Sequence, residues 1–132
     1  MQIDAYSSQE AKAFAEKWLP AWTGNNPELL ASFYTEDSFY SDPVIPRGVQ
    51  GKKALLEYFR KLLAKNPHWV WTQTSATPLQ DGFVNFWKAE IPAGDTKVIC
   101  HGICLVQLRQ GLIYRNQVFF DPSELQKRST HL

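Results

Sequence analysis

A chain of 132 residues with 44% hydrophobic and 20% charged residues is sized for one globular domain around a single core, which excludes two ordinary domains. A net charge of +1, with no basic block and no acidic tail, argues against a nucleic-acid or membrane-surface role. No apolar run approaches the ~18 residues of a membrane span, and Met1-Gln2-Ile3-Asp4 does not read as a signal peptide, so the expected location is cytoplasmic.

Ser7 or Ser8 caps a first helix whose apolar stripe is Ala11, Phe14, Ala15, Trp18, Leu19 and Trp22, with Pro20 ending or kinking it near Leu19. Gly24 to Pro27 is a turn, and Pro27 opens a short second helix carrying Leu29, Leu30 and Phe33. Phe39 to Asp42 reads as a short strand, Pro43 to Gly51 as a loop, and Lys52 to Lys65 as a third helix with Leu55, Phe59, Leu62 and Leu63 inward. Asn66-Pro67 stops that helix. Four strands follow as an antiparallel meander: His68 to Thr77, Phe83 to Ile91, Thr96 to Arg109 and Leu112 to Phe120. They are separated by turns at Asp81-Gly82, Pro92 to Asp95 and Gln110-Gly111. Helices followed by sequential strands predict an α+β fold with the helices packed on one face of a curved sheet. A single domain spans 1–132, with frayed ends at 1–6 and 126–132.

Five Trp, eight Phe and five Tyr are many for so small a core, so an apolar cavity or a buried partner surface is expected. Asp42 closes the segment Ser38-Phe39-Tyr40-Ser41. A carboxylate among aromatic side chains has its charged form disfavoured, which suits it to proton transfer. An Asp-Pro pair also starts turns, and both readings stand for Asp42. His101 shares strand parity with Ile99, Ile103 and Leu105 and is expected to point toward the helices. It is either a satisfied core histidine or a pocket acid/base. Apolar residues on both faces of that strand predict a covered outer face and a homodimer through it. Trp18, Trp22, Tyr34, Tyr40, Trp71 and Trp87 are packing residues first, and their N–H or O–H groups can also steady an oxyanion. Arg47, in the loop, and Arg115, mid-strand, can meet an acidic group, and Asp121 is expected to cap a helical turn from Pro122 to Gln126. Cys100 and Cys104 lie roughly 13 Å apart along one strand, too far to bridge. The three His at 68, 101 and 131 are scattered, and neither a metal nor another cofactor is expected.

The order of elements resembles the nuclear-transport-factor-2-like superfamily over nearly the whole chain. Ketosteroid isomerases and SnoaL-like polyketide cyclases belong to it. The local motif is Phe33-Tyr34-Thr35-Glu36-Asp37, then Asp42-Pro43-Val44, then Gly48 or Gly51, then Tyr58-Phe59. The resemblance implies a cone-shaped fold of three N-terminal helices on a curved, mostly antiparallel sheet. It also implies that Asp42 matches the general base that carries a proton between two carbons of a steroid in ketosteroid isomerases. The family's oxyanion tyrosine falls on Trp18 and its second donor on Ile103, with His101 two residues earlier as a substitute. The same alignment turns Asn116, Val118 and Phe120 toward the cavity and sets Phe59 over it. The ending Phe119-Phe120-Asp121-Pro122 is similar to SnoaL-like proteins. The expected catalytic residues are Asp42 and His101. The expected ligand contacts are Trp18, Trp22, Tyr34, Phe59, Asn116, Val118 and Phe120. The expected activity is a cofactor-independent isomerase, cyclase or lyase acting on a hydrophobic carbonyl compound. A non-catalytic apolar-ligand-binding or dimerisation module is the alternative.

Overall fold

The computed structural model describes residues 6–121. The expected frayed ends and the expected turn at 122–126 lie outside them, apart from Tyr6, whose N–H donates to the Leu79 carbonyl at 3.2 Å. Helix α1 spans Ser8–Trp18 and opens on a full capping box. The Ser7 hydroxyl accepts from the Glu10 N–H, and the Glu10 carboxylate accepts from the Ser7 N–H. Pro20 does not merely stop the helix. The chain tightens into a 3-10 turn over Leu19–Trp22 that keeps Trp22 on the buried side. Asn26 caps the short α2, Pro27–Ala31, with Pro27 in its first turn.

Strand β1 covers Tyr34–Asp42 and pairs with β2, Ile45–Gln50. The segment expected as a loop from Pro43 to Gly51 is therefore a hairpin arm. Its strand character is hidden in sequence by Pro46 and by Gly48, which adopts φ +75°. A Cβ at Gly48 would meet the Phe39 ring and the Tyr40 carbonyl at 2.6 Å, so the bulge there requires glycine. Helix α3, Lys52–Lys65, follows and lies against β1. The third helix thus comes after the first hairpin. Strands β3 (Val70–Leu79), β4 (Gly82–Ala93), β5 (Thr96–Arg109) and β6 (Leu112–Phe120) form the expected meander. Gln110 and Gly111, both at positive φ, close its last hairpin.

The six strands lie in the order β2-β1-β6-β5-β4-β3, antiparallel except where β1 runs parallel to β6. That one parallel pairing joins the N-terminal hairpin to the meander and brings Asp42 beside the C-terminal half of β6. The core fills the space between the sheet and the helices. Trp18, Tyr34, Tyr40, Phe59 and Phe83 are its largest fully buried side chains. Ring contacts link Phe59 to Trp22, Tyr34 and Tyr40 with centroids 5.2–5.5 Å apart.

Strand β5 faces the opposite way from the sequence expectation. Val98, Cys100, Cys104 and Val106 are buried in the core, whereas Ile99 and Ile103 are exposed (46% and 37%) and His101 is exposed with them. Hydrophobicity is nearly equal on the two faces, so it could not set the parity. Side-chain size did. The small residues Cys100, Gly102 and Cys104 face inward, where Trp87 from β4 needs room.

Candidate functional site

Asp42 is 6% exposed and is held from two directions. Its Oδ1 accepts the backbone N–H groups of Val44 (2.9 Å) and Ile45 (3.1 Å), which folds the Pro43–Val44 turn around the side chain. Its Oδ2 accepts the hydroxyls of Tyr40 (2.9 Å) and Tyr58 (2.7 Å). Tyr40 lies two residues earlier on the same face of β1, and Tyr58 reaches over from α3. One oxygen thus serves the turn, and the other meets the two phenols. A carboxylate has about four lone-pair sites, and here all four are engaged.

The hydroxyls answer to the same contact. The Tyr40 phenol is pushed well above its ordinary value, first by burial and then by the neighbouring Asp42 charge. Tyr58 is pushed up by burial and by its hydrogen bond to Asp42. Tyr34 is also pushed up by burial, although Asn116, which donates to its hydroxyl at 3.1 Å, pulls the other way. These phenols are harder to ionise folded than unfolded. Their contribution to stability is therefore complete below an unfolded value of about 10 and is lost as pH rises above it. Alkaline titration should show phenolate absorbance from these residues only together with loss of near-ultraviolet circular dichroism. Prompt, reversible ionisation of all five tyrosines near pH ~10 with the fold intact would contradict this.

Beside the acid lies a cavity of about 350 Å³, a volume suited to a small ring-bearing molecule. Its wall includes Trp18, Trp22, Tyr40, Asp42, Tyr58, Trp69, Trp71, Trp87, Cys104, Val118 and Phe120, with Lys61, Leu62 and Lys65 of α3 and the Asn66 that follows it along one side. The Thr23 hydroxyl donates to the Trp69 carbonyl at 2.6 Å, tying the 3-10 turn to the entry of β3 beside this wall. The indole N–H groups of Trp18 and Trp87 are buried without a hydrogen bond of good geometry. The Trp18 N–H nevertheless favours ionisation of Tyr34, and the Trp87 N–H favours ionisation of Cys104, whose thiol burial pushes up to about 12.

Of the expected ligand contacts, Trp18, Trp22, Val118 and Phe120 line this cavity. Tyr34, Phe59 and Asn116 are fully buried behind the wall and bind one another and the core instead. His101 does not share the cavity with Asp42. It lies exposed on the outer sheet face, for the parity reason given above. Arg47 is exposed on β2 rather than in a loop. Arg115 stacks over the Phe39 ring at 4.6 Å and bonds Gln117. Asp121 is exposed at the end of β6. The reading from sequence missed Tyr58 as a partner of Asp42 and the α3 residues of the wall. A signal existed: Tyr58, Lys61, Leu62 and Lys65 recur at helical spacing on one side of α3.

A six-stranded, mostly antiparallel sheet with helices defines an α+β protein with a ketosteroid isomerase-like fold. The model of the SnoaL-like domain matches residues 15–116, and the chain belongs to that family, within the nuclear-transport-factor-2-like superfamily. It is 27% identical over 120 residues to a steroid Δ-isomerase of Nocardioides simplex, covering 89% of this chain and 95% of the relative. Among solved structures it is similar to a protein of Catenulispora acidiphila with a ketosteroid isomerase-like fold, determined in complex with trimethylamine. That match has a TM-score of 0.77 and 22% identity, over 89% of this chain and 92% of the other. A putative SnoaL-like polyketide cyclase of Shewanella putrefaciens matches with a TM-score of 0.77 and 13% identity, over 95% and 86%. At these identities the structural matches speak for the fold alone. Among the described residues, no helix is long and apolar enough to cross a membrane.

Proposed function

We propose that this protein binds a hydrophobic, ring-containing carbonyl compound and moves a proton on it, with Asp42 as the general base. The observation that carries this reading is the buried Asp42 carboxylate in the wall of a cavity otherwise built largely from tryptophan and aliphatic side chains. The likeness to a steroid Δ-isomerase supports the same chemistry. Oδ2 takes a proton from the carbon next to the carbonyl and returns it to the same enolate. To do so it releases one phenolic donor. Tyr58 is the one to leave, because it is half-buried on a helix, whereas Tyr40 is fixed within β1. The developing enolate oxygen draws on donors in the wall. The Tyr58 hydroxyl released from Asp42 is such a donor, whereas the Trp18 N–H, the donor expected together with His101, is buried toward Tyr34.

The test is proton–deuterium exchange and double-bond migration on a panel of bicyclic and polycyclic ketones. Asp42→Asn should keep binding and lower turnover by about two to four orders of magnitude. Unchanged turnover removes Asp42 from the mechanism. The second reading, an apolar-ligand binder without chemistry, draws on the full set of four donors already around Asp42. It predicts wild-type protein that binds the panel and exchanges no protons.

The outer sheet face supports a homodimer within the same proposal. Phe86, Ile103 and Phe119 are register neighbours across β4, β5 and β6 and are all exposed on the single chain, as is Ile99. A continuous apolar row of this kind is a partner surface. Ile103→Glu should leave the fold intact and shift sedimentation from dimer to monomer. A wild-type chain that sediments as a monomer at working concentration refutes the dimer.

A further inference from the structure

We propose that the ligand is an anion: a ring-bearing acid whose negatively charged head lies between Lys61 and Lys65 while its apolar body lies against the tryptophans. This rests on the reading of the cavity as a binding site for a hydrophobic small molecule and specifies the class of that molecule.

Among the described residues, three charged side chains line the cavity, Asp42, Lys61 and Lys65. Asp42 is enclosed by four donors and forms no ion pair with either lysine. The two lysines are exposed, one turn apart on α3, and both belong to the stripe that begins at Tyr58 and continues through Leu62. Neither makes an ion pair or hydrogen bond among the described residues. On the same helix, by contrast, Lys52 meets Glu36 at 3.9 Å and Arg60 meets Glu28 at 3.2 Å. Glu57, one turn before Lys61, forms no ion pair with it. Among the described residues, two unpaired ammonium groups thus border an apolar cavity with no opposing free carboxylate in its wall.

The spacing also sizes the ligand. From Tyr58 to Lys65 is seven residues of helix, a rise of roughly 10 Å. A molecule whose head meets Lys65 and whose far end meets Tyr58 and Asp42 spans about that length, the extent of two or three fused or linked rings. The separation also keeps the anionic head away from the Asp42 carboxylate.

The test compares two fluorescent probes that differ by one anionic sulfonate group: anilinonaphthalene sulfonate and its neutral parent, N-phenylnaphthylamine. At low ionic strength the sulfonate should bind wild-type protein about three- to tenfold tighter than the parent, and added salt should shrink the difference. Lys61→Gln/Lys65→Gln should abolish the preference and leave affinity for the neutral probe unchanged. Ile103→Glu, on the opposite face of the sheet, should preserve it. Equal affinities in the wild type, a preference that survives the double lysine variant, or one lost in Ile103→Glu would each overturn the proposal. Binding of the neutral probe without any preference for charge defeats this inference alone. Failure of both probes to bind defeats the binding reading of the cavity as well.

Discussion

Asp42→Ala should lower stability by about 3 kcal/mol or more, whereas Asp42→Asn should fold close to normally. Alanine leaves four donors without an acceptor: the N–H groups of Val44 and Ile45 and the hydroxyls of Tyr40 and Tyr58. Tyr40 is 2% exposed, so its hydroxyl has no water to turn to. The half-buried Tyr58 can recover part of its loss from solvent. The backbone donors hold the hairpin turn that brings Tyr40 and Asp42 to one face of β1, so their loss loosens the strand itself. Asparagine preserves an oxygen for Val44 and Ile45 and presents its amide to the tyrosines, which can rotate to accept. Thermal unfolding should separate the two variants by on the order of 10 °C. Equal melting temperatures for alanine and asparagine would mean that the donors are not held as described. The pair also separates chemistry from folding. Loss of turnover in both variants, with the asparagine variant folded as the wild type, concerns the base, whereas loss in alanine alone concerns the scaffold.

The same carboxylate explains how far the sequence could be read. Asp42 could be picked out because both of its roles are local: a proline follows it, and aromatic residues precede it on the same strand. Helix α1 was legible for a similar reason, since Ser7, Glu10 and a stripe of helical period lie within a few turns. The features that could not be read depend on partners far along the chain. Tyr58 binds Asp42 across 16 residues, and nothing at position 58 alone reveals a buried acid opposite it. The β2 arm was obscured because its proline and positive-φ glycine are the marks of a loop. The hairpin tolerates them only because β2 is an edge strand, paired on one side with β1. The direction of β5 is not legible in sequence because both of its faces are apolar, Ile99, Ile103 and Leu105 on one and Val98, Cys100, Cys104 and Val106 on the other. The inner face was selected instead by what could fit beneath a tryptophan.

That fit is tested by Gly102→Ala, a substitution of one methyl group expected to cost about 1–3 kcal/mol by overpacking and to damage the cavity beyond the cost to the fold. Gly102 is paired with Trp87 across β4 and β5 and with Phe120 across β5 and β6. An added Cβ would run into the edge of the Trp87 indole, with Cη2 at 2.6 Å, and would lie 2.7 Å from the Phe119 carbonyl. The carbonyl belongs to the β5–β6 ladder and cannot yield without breaking strand pairing, so the indole is the group that moves. It has little freedom: Trp87 is 2% exposed, packs edge-on against Trp71 at 4.9 Å and meets Phe120 at 6.0 Å. All three rings line the cavity, so displacement of Trp87 carries into the space a ligand would occupy. The expected result is a lower melting temperature, an altered near-ultraviolet tryptophan spectrum and weaker binding of the neutral naphthylamine probe. Gly102→Ala protein with wild-type stability and an unchanged tryptophan spectrum would show that β5 does not run beneath Trp87 in this register. It would then reopen the inward direction for His101, because the parity that turns Gly102 toward the tryptophan is the one that turns His101 away from Asp42.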